Sequence, residues 1–306
     1  MSTNESLAGR LANLSRARRA LLERRLKGRA AAPVNQSRDW SPMVEMQPGG
    51  SGKKFFGVHP LSGSVASYID LARMIGEDQT FYALQARGLD TDDEPFTRLE
   101  EMAACYVAAV RAVQPEGPYL LTGFSLGGHI AYEMAQQLCA GGSRVGLLAL
   151  IDTSCDGLKP PWEGDFDGAL YWHWRLRKEV SLSVSHMRGL DPERLLDYVV
   201  EQLKTAERQP AHMSLPHADL CRMARVEQSN QQALFGYEHK PYPGAITLLR
   251  TGHGTYPSAP PDLGWGPLAG GGVEAHMIPG AHRTILQSPY IEVVGRVLRD
   301  CIARAA

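Results

Sequence analysis

No stretch of this sequence is apolar for long enough to cross a bilayer, and its charged opening residues hold no apolar core of a secretory signal. Cysteine is scarce and scattered. Cys105, Cys139, Cys155, Cys221 and Cys301 are odd in number and form no C-x-x-C pair, which suits reduced thiols rather than a disulfide framework. The expectation is a soluble cytoplasmic protein. Net charge is nearly absent too, at -1 from 32 Lys and Arg against 33 Asp and Glu, so the whole-chain balance makes no electrostatic case for nucleic acid or an acidic membrane. Ser62-Gly63-Ser64 lacks the Lys-Ser/Thr ending of a phosphate loop, and the Rossmann glycine spacing is missing. None of the ten histidines shows a metal-ligand spacing with another His, Cys or carboxylate, and no metal is expected. What is present is a globular composition. A chain of 306 residues, 43% hydrophobic and 21% charged, can bury a sizeable core as one large domain carrying an insertion.

The most informative segment is Gly123-Phe124-Ser125-Leu126-Gly127, a G-x-S-x-G pattern. Pro118 to Thr122 reads as a short buried strand and Leu126 to Ala140 as an apolar-rich helix, so the pentapeptide falls on a strand-to-helix turn. That context makes it a nucleophile elbow. Glycines are needed where strand and helix crowd together, and the helix start aims N–H groups and its positive dipole end at any oxyanion formed beside Ser125.

A serine hydroxyl needs a histidine to take its proton, and the histidine needs a carboxylate to hold its tautomer. In α/β-hydrolases the chain order is Ser, acid, His. Val145 to Ile151 reads as the next parallel strand, and Asp152 follows at its carboxyl end; Asp156, four residues on, is the competing carboxylate. Val273 to Ile278 reads as a late strand leading into Pro279-Gly280-Ala281-His282. A histidine on that loop can reach back over the sheet, so His282 is the expected base, whereas His276 inside the strand and His129 on the elbow helix read as packing residues.

Phe55-Phe56-Gly57-Val58-His59-Pro60-Leu61-Ser62-Gly63-Ser64, then Tyr68, Leu71-Ala72-Arg73 and Tyr82 to Leu89, resemble the opening of the thioesterase domains that end nonribosomal peptide and polyketide synthases. Tyr119 to Gly128, Leu148 to Thr153 and Ile278 to His282 continue the resemblance in the same order, over roughly Trp40 to Ile302. It implies an α/β-hydrolase fold: a mostly parallel central sheet flanked by helices, with a helical lid insertion. It also implies an oxyanion hole from the backbone N–H groups of Leu61 and Leu126. In one place the sequence departs from the family, which often has an acidic residue before the histidine where this chain has Ala281.

Around this domain, read as 53–306, two further parts stand out. Arg10 to Arg29 is strongly basic, with Leu14, Leu21, Leu22 and Leu26 lining part of a helix and Ser15 as a candidate N-cap, and an Ala-, Pro-, Ser- and Gly-rich linker runs on to Gly52. It reads as a solvated helix or as a docking element for an acidic partner such as a carrier protein. The second part is the insertion, about 156–240, with helices expected at Gly168 to Val180, Pro192 to Thr205 and Leu220 to Leu234. Tyr171, Trp172 and Trp174 are candidates to line an acyl chamber beneath it, with packing inside the lid as the alternative.

The function expected is that of a serine thioesterase. Ser125 takes an acyl or peptidyl chain from the phosphopantetheine of an acyl or peptidyl carrier protein, then releases it by hydrolysis, macrocyclisation or transfer to a hydroxyl or amine. The chain needs no cofactor of its own for this. A free-standing esterase or lipase would use the same residues, and a non-catalytic binding protein on this fold is the third class considered.

Overall fold

A computed structural model describes residues 40–50, 52–156, 162, 164–206, 211–252 and 259–305. The expected basic helix within 1–52 lies outside the described residues. In chain order the elements that matter are β1 (Met43–Gln47), β2 (Phe55–Val58), α1 (Ile69–Met74), β3 (Phe81–Leu84), α2 (Leu99–Val113), β4 (Tyr119–Phe124), α3 (Leu126–Ala140) and β5 (Val145–Ile151). The insertion supplies α4 (Gly168–Leu176), α5 (Val184–Arg188), α6 (Pro192–Lys204) and α7 (His217–Phe235), and the chain then returns through β6 (Ile246–Thr251), β7 (Val273–Ile278) and α8 (Tyr290–Ala305).

The seven strands form one sheet in the order β1-β3-β2-β4-β5-β6-β7. Only β1 runs antiparallel to its neighbour. A parallel sheet covered on both sides needs strands that are apolar on both faces, which is why β2 and β5 read as unbroken hydrophobic runs. Alternate residues feed two cores. Phe56, Val58, Leu148 and Leu150 face α2 and α3, whereas Phe55, Ala149, Ile151 and Leu249 face α1 and α8. The chain leaves β2 towards one edge of the sheet and returns to build the other edge from β4, so the carboxyl ends of β2 and β4 flank a crevice at the topological switch point.

The insertion folds around a core of its own, built from Tyr171, Trp172, Leu176, Met187, Leu195, Leu196, Val199 and Leu220 among others. Its first three helices begin where the sequence provides side-chain caps. The Asp167 carboxylate accepts from the Leu170 N–H at 2.9 Å, and the Asp191 carboxylate accepts from the Arg194 N–H at 2.9 Å with Pro192 at the first helical position.

Three sequence expectations need correction. Residues 43–47, read as linker, are the edge strand β1; an edge strand half exposed on both faces carries Glu45 and Gln47 and offers no apolar run to recognise. The first lid helix stops at Leu176 rather than Val180, where the polar run Arg177 to Glu179 gives it no further core face. The last begins at His217 rather than Leu220, directly after Pro216. Among the described residues no helix is long and apolar enough to cross a membrane.

Candidate active site

Strand β4 ends at Phe124 and helix α3 starts at Leu126, leaving Ser125 alone to make the turn. Its φ of 56° and ψ of -122° are unfavourable for a residue with a Cβ, costing of order 1–3 kcal/mol. Two neighbours hold it there. The Ser125 N–H donates to the Ile151 carbonyl at 3.0 Å, and the Thr153 hydroxyl donates to the Ser125 carbonyl at 3.0 Å. The flanking glycines are sterically required, since a Cβ on Gly123 would overlap the Gly127 carbonyl and one on Gly127 would overlap the carbonyl of Val58.

Asp152 leaves the carboxyl end of β5 and is fully buried. One carboxylate oxygen accepts from the Thr251 N–H at 2.8 Å and from the Thr251 hydroxyl at 3.0 Å; the other faces His282 Nδ1 at 2.7 Å. Because the carboxylate accepts, Nδ1 carries the imidazole proton and Nε2 presents its lone pair. Nε2 lies 3.1 Å from Ser125 Oγ. The His282 ring is further fixed against Phe124, with centroids 4.8 Å apart. Asp156 stands exposed on the turn beyond, so of the two candidate carboxylates it is Asp152 that meets the histidine. Gly280, with φ of 100°, turns the chain after β7 so that His282 comes back over the sheet.

The opposite wall comes from the loop after β2. Pro60 and Leu61 share a peptide group whose carbonyl accepts from the His59 ring at 2.9 Å and from the Gly63 N–H at 2.9 Å. In a trans peptide the N–H points opposite to the carbonyl, so anchoring Pro60 O inside the protein turns the Leu61 N–H the other way. The anchor itself is tightly held. His59 is fully buried, donates from Nδ1 to Pro60 O, and accepts at Nε2 from the Tyr106 hydroxyl at 2.8 Å. Burial lowers its pKa to about 4, against a smaller upward effect of the Pro60 hydrogen bond, so the ring is neutral at pH 7. Asn230 of α7 donates to the Leu61 carbonyl at 2.9 Å, and Tyr68 ties the two strand ends together by donating to Val58 O at 2.6 Å and accepting from the Phe124 N–H at 2.9 Å.

Leu61, Ser125, Leu126, His129, Thr153, Ser154, Gln231 and Leu234 line one small cavity. Leu126 opens α3, so its N–H has no partner within the helix. The cavity volume is about 10 Å³, room for one water-sized group. Gln231 and Leu234 of α7 line this cavity together with the serine. Tyr171, Trp172 and Trp174 are elsewhere. Tyr171 and Trp172 are buried in the lid's core, where the Tyr171 hydroxyl donates to Glu227 at 3.0 Å and the Trp172 indole N–H donates to Gln228 at 2.6 Å, and Trp174 packs beside them. None of the three lines the cavity at Ser125; Tyr171 and Trp172 pack inside the lid, and Trp174 is half-buried at its edge. His59, Tyr68, Asn230 and Gln231 are the site residues that sequence reasoning does not assign; an apolar strand followed by His-Pro is the only local signal for His59, and the lid residues have none.

Comparison with known proteins places the chain in a family. The family model described as thioesterase domain matches residues 53–304. An inactive atromentin synthetase of Paxillus involutus is 41% identical over 114 residues, 37% of this chain and 12% of its own length. A dimodular nonribosomal peptide synthase of Bacillus subtilis (strain 168) is 29% identical over 262 residues, 84% of this chain and 11% of its own length. This chain thus spans little more than a tenth of either relative. Among solved structures, a four-domain nonribosomal peptide synthetase bound to AMP and glycine superposes with a TM-score of 0.72 and 26% identity, over 87% of this chain and 20% of that one. A nocardicin thioesterase domain in covalent complex with a fluorophosphonate nocardicin G analogue gives 0.58 and 25%, over 85% and 99%. With a match that runs from just before β2 almost to the end of α8, and with the fold of those structures, the chain belongs to the thioesterase domain family.

Proposed function

We propose that Ser125, His282 and Asp152 act as a nucleophile, base and acid that take an acyl or peptidyl chain from the phosphopantetheine thioester of a carrier protein. The observation behind this is the unbroken Asp152–His282–Ser125 relay, at 2.7 and 3.1 Å, at the edge of a cavity to which Leu61 and Leu126 also contribute. One relative carries the word inactive in its name, so the reading rests on this chain's own residues.

His282 Nε2 takes the hydroxyl proton as Ser125 Oγ attacks the thioester carbonyl, and the imidazolium is stabilised by Asp152. Negative charge develops on the carbonyl oxygen, which the N–H groups of Leu61 and Leu126 receive; donors already in place need no reorganisation, and each is worth roughly 10²–10³ in rate. The tetrahedral intermediate collapses, the thiol leaves with the proton from His282, and an acyl-serine remains. Water, or a hydroxyl or amine of the chain or of another molecule, then adds with His282 again as base, and the Ser125 oxygen leaves as the acid, macrocycle, ester or amide is released.

The experiment that tests the carrier-fed reading compares turnover of acyl groups on a holo-carrier protein with turnover of simple soluble esters of the same acids. A kcat/KM far higher for carrier-bound thioesters supports it. Equal or higher values for the simple esters would replace it with a free-standing esterase.

A further inference from the structure

Outside the serine site, the lid gathers a second set of chemically active side chains. Asp197 on α6 and His217 and Cys221 on α7 each place one ligand-type atom within 4.8 Å of the others. Pairwise, Asp197 Oδ1 lies 3.0 Å from His217 Nε2 and 3.3 Å from Cys221 Sγ, and the sulfur lies 3.4 Å from the same ring nitrogen. A tetrahedral zinc ion with bonds of about 2.0–2.3 Å separates its ligand atoms by roughly 3.3–3.7 Å, so this triangle is within a few tenths of an ångström of a coordination face. Helix geometry explains why. His217 and Cys221 are four residues apart and lie one above the other on α7, facing α6. Sequence spacing alone, from which no metal is expected, does not bring this third atom into view, because it comes from a different helix.

We propose that Asp197, His217 and Cys221 form a binding site for a divalent transition-metal ion of the zinc class, with solvent in the fourth position. The donor set selects the metal. One imidazole and one thiolate with a single carboxylate suit zinc or cobalt(II), whereas magnesium and calcium require oxygen donors. Charge fits as well, since one carboxylate, one thiolate and a neutral imidazole balance a dication.

The surroundings supply the outer support such a site needs. Glu201, one turn after Asp197 on α6, places Oε1 3.2 Å from His217 Nδ1, the nitrogen left over when Nε2 binds a metal. Lys204 donates to Glu201 at 2.7 Å and lies 3.0 Å from the same Nδ1. With the metal absent, Lys204 donates to Nδ1 and the Nε2 proton faces Asp197. On binding, Lys204 turns from Nδ1 and keeps only its bond to Glu201, the Nε2 proton is lost, Nδ1 takes one up and donates a hydrogen bond to Glu201, and Cys221 gives up its thiol proton; one proton is released per ion. The side chains of Asp197 and His217 are 58% and 40% exposed, which leaves the ion an open route in from solvent. Once bound, it fastens the first two turns of α7 to the middle of α6. None of these residues lines the cavity at Ser125.

The test is a cobalt(II) titration of the chelator-treated full chain, followed by zinc(II) competition. One cobalt per chain is expected, with the visible absorption of a four-coordinate ion and a near-ultraviolet thiolate-to-cobalt band, both removed by one equivalent of zinc. Cys221→Ser should abolish the thiolate band, and His217→Gln should weaken binding by about 10- to 100-fold or more. Zinc should raise the thermal midpoint of the wild type and leave that of the double variant unmoved, whereas Cys105→Ser should behave as wild type. His217 is exposed and Cys221 half-buried at the edge of the lid core, and a cooperative thermal transition with unchanged far-ultraviolet circular dichroism reports that each variant is folded. No saturable binding below about 100 μM in the folded wild type, a thiolate band that survives Cys221→Ser, or a zinc shift retained in the double variant would each overturn the site.

Discussion

The strained Ser125 is the residue on which the proposed chemistry converges. Its Oγ faces His282 and the cavity rather than the core, so Ser125→Ala should abolish acyl-enzyme formation with the thermal midpoint little changed. His282→Ala and Asp152→Asn should each lower kcat by about three to six orders of magnitude, because triad members act as a unit. Single-turnover assays with an activated thioester check both; a silent Asp152→Asn would remove the carboxylate from the proposal. His59 calls for a different measurement. In an unfolded chain a histidine titrates near 6.5, but in the folded protein burial holds it at about 4. Between those pH values the unfolded state binds the proton that the folded state refuses, so His59 contributes stability that is complete above pH 6.5 and is lost as pH falls towards 4, by up to about 3 kcal/mol. Urea melts at pH 7 and 4.5 should show a steeper acid loss for wild type than for His59→Gln. If the same ring also aims the Leu61 N–H, the variant should lose up to about 100-fold in kcat with KM little affected.

At the scale of elements, the site joins the ends of four strands to one lid helix. β2 brings the Leu61 loop, β4 the serine, β5 the aspartate, β7 the histidine, and α7 contributes Asn230, Gln231 and Leu234. Helix α3 and strands β5 and β7 match the sequence expectation end to end, because each is an apolar pattern stopped by Gly, Asp or Pro. β4 runs two residues further than expected. Pro118 has no N–H to give a ladder, whereas Gly123 and Phe124 pair with Leu150 and Ile151. The lid was harder to read, since nothing local distinguishes an aromatic that packs lid against lid from one that faces substrate. The structure reassigns the mutations accordingly. Trp172→Ala should destabilise the lid by about 3–5 kcal/mol, seen as early proteolysis within 164–235, without altering product choice in molecules that remain folded. Gln231→Ala and Leu234→Ala, in the cavity lining beside the serine, should change the ratio of hydrolysed to cyclised or transferred product; identical product ratios to wild type would place selection elsewhere.

For the whole molecule, the convergence of Ser125, Asp152 and His282, the proposed nucleophile, acid and base, is legible because chain order and strand ends constrain it: each follows a strand at the same edge of one parallel sheet. What supports them was not legible, since His59 with Tyr106, Tyr68 with Phe124 and Asn230 with Leu61 meet only after strands and lid are assembled. The small cavity adds a property of the complete fold. Among the described residues the cavity beside Ser125 holds about one water; if α7 or the Leu61 loop has to move to admit a peptidyl chain, loading of long chains should be slower than loading of acetyl thioesters by more than their intrinsic reactivity predicts. The most direct test of the central claim is an intact-mass measurement after brief exposure to an acyl thioester, with peptide mapping of the adduct. The relay predicts one added acyl group, located on Ser125, in the wild type and none in Ser125→Ala or His282→Ala. An acyl group found on any other residue, or loading that survives Ser125→Ala, would contradict it.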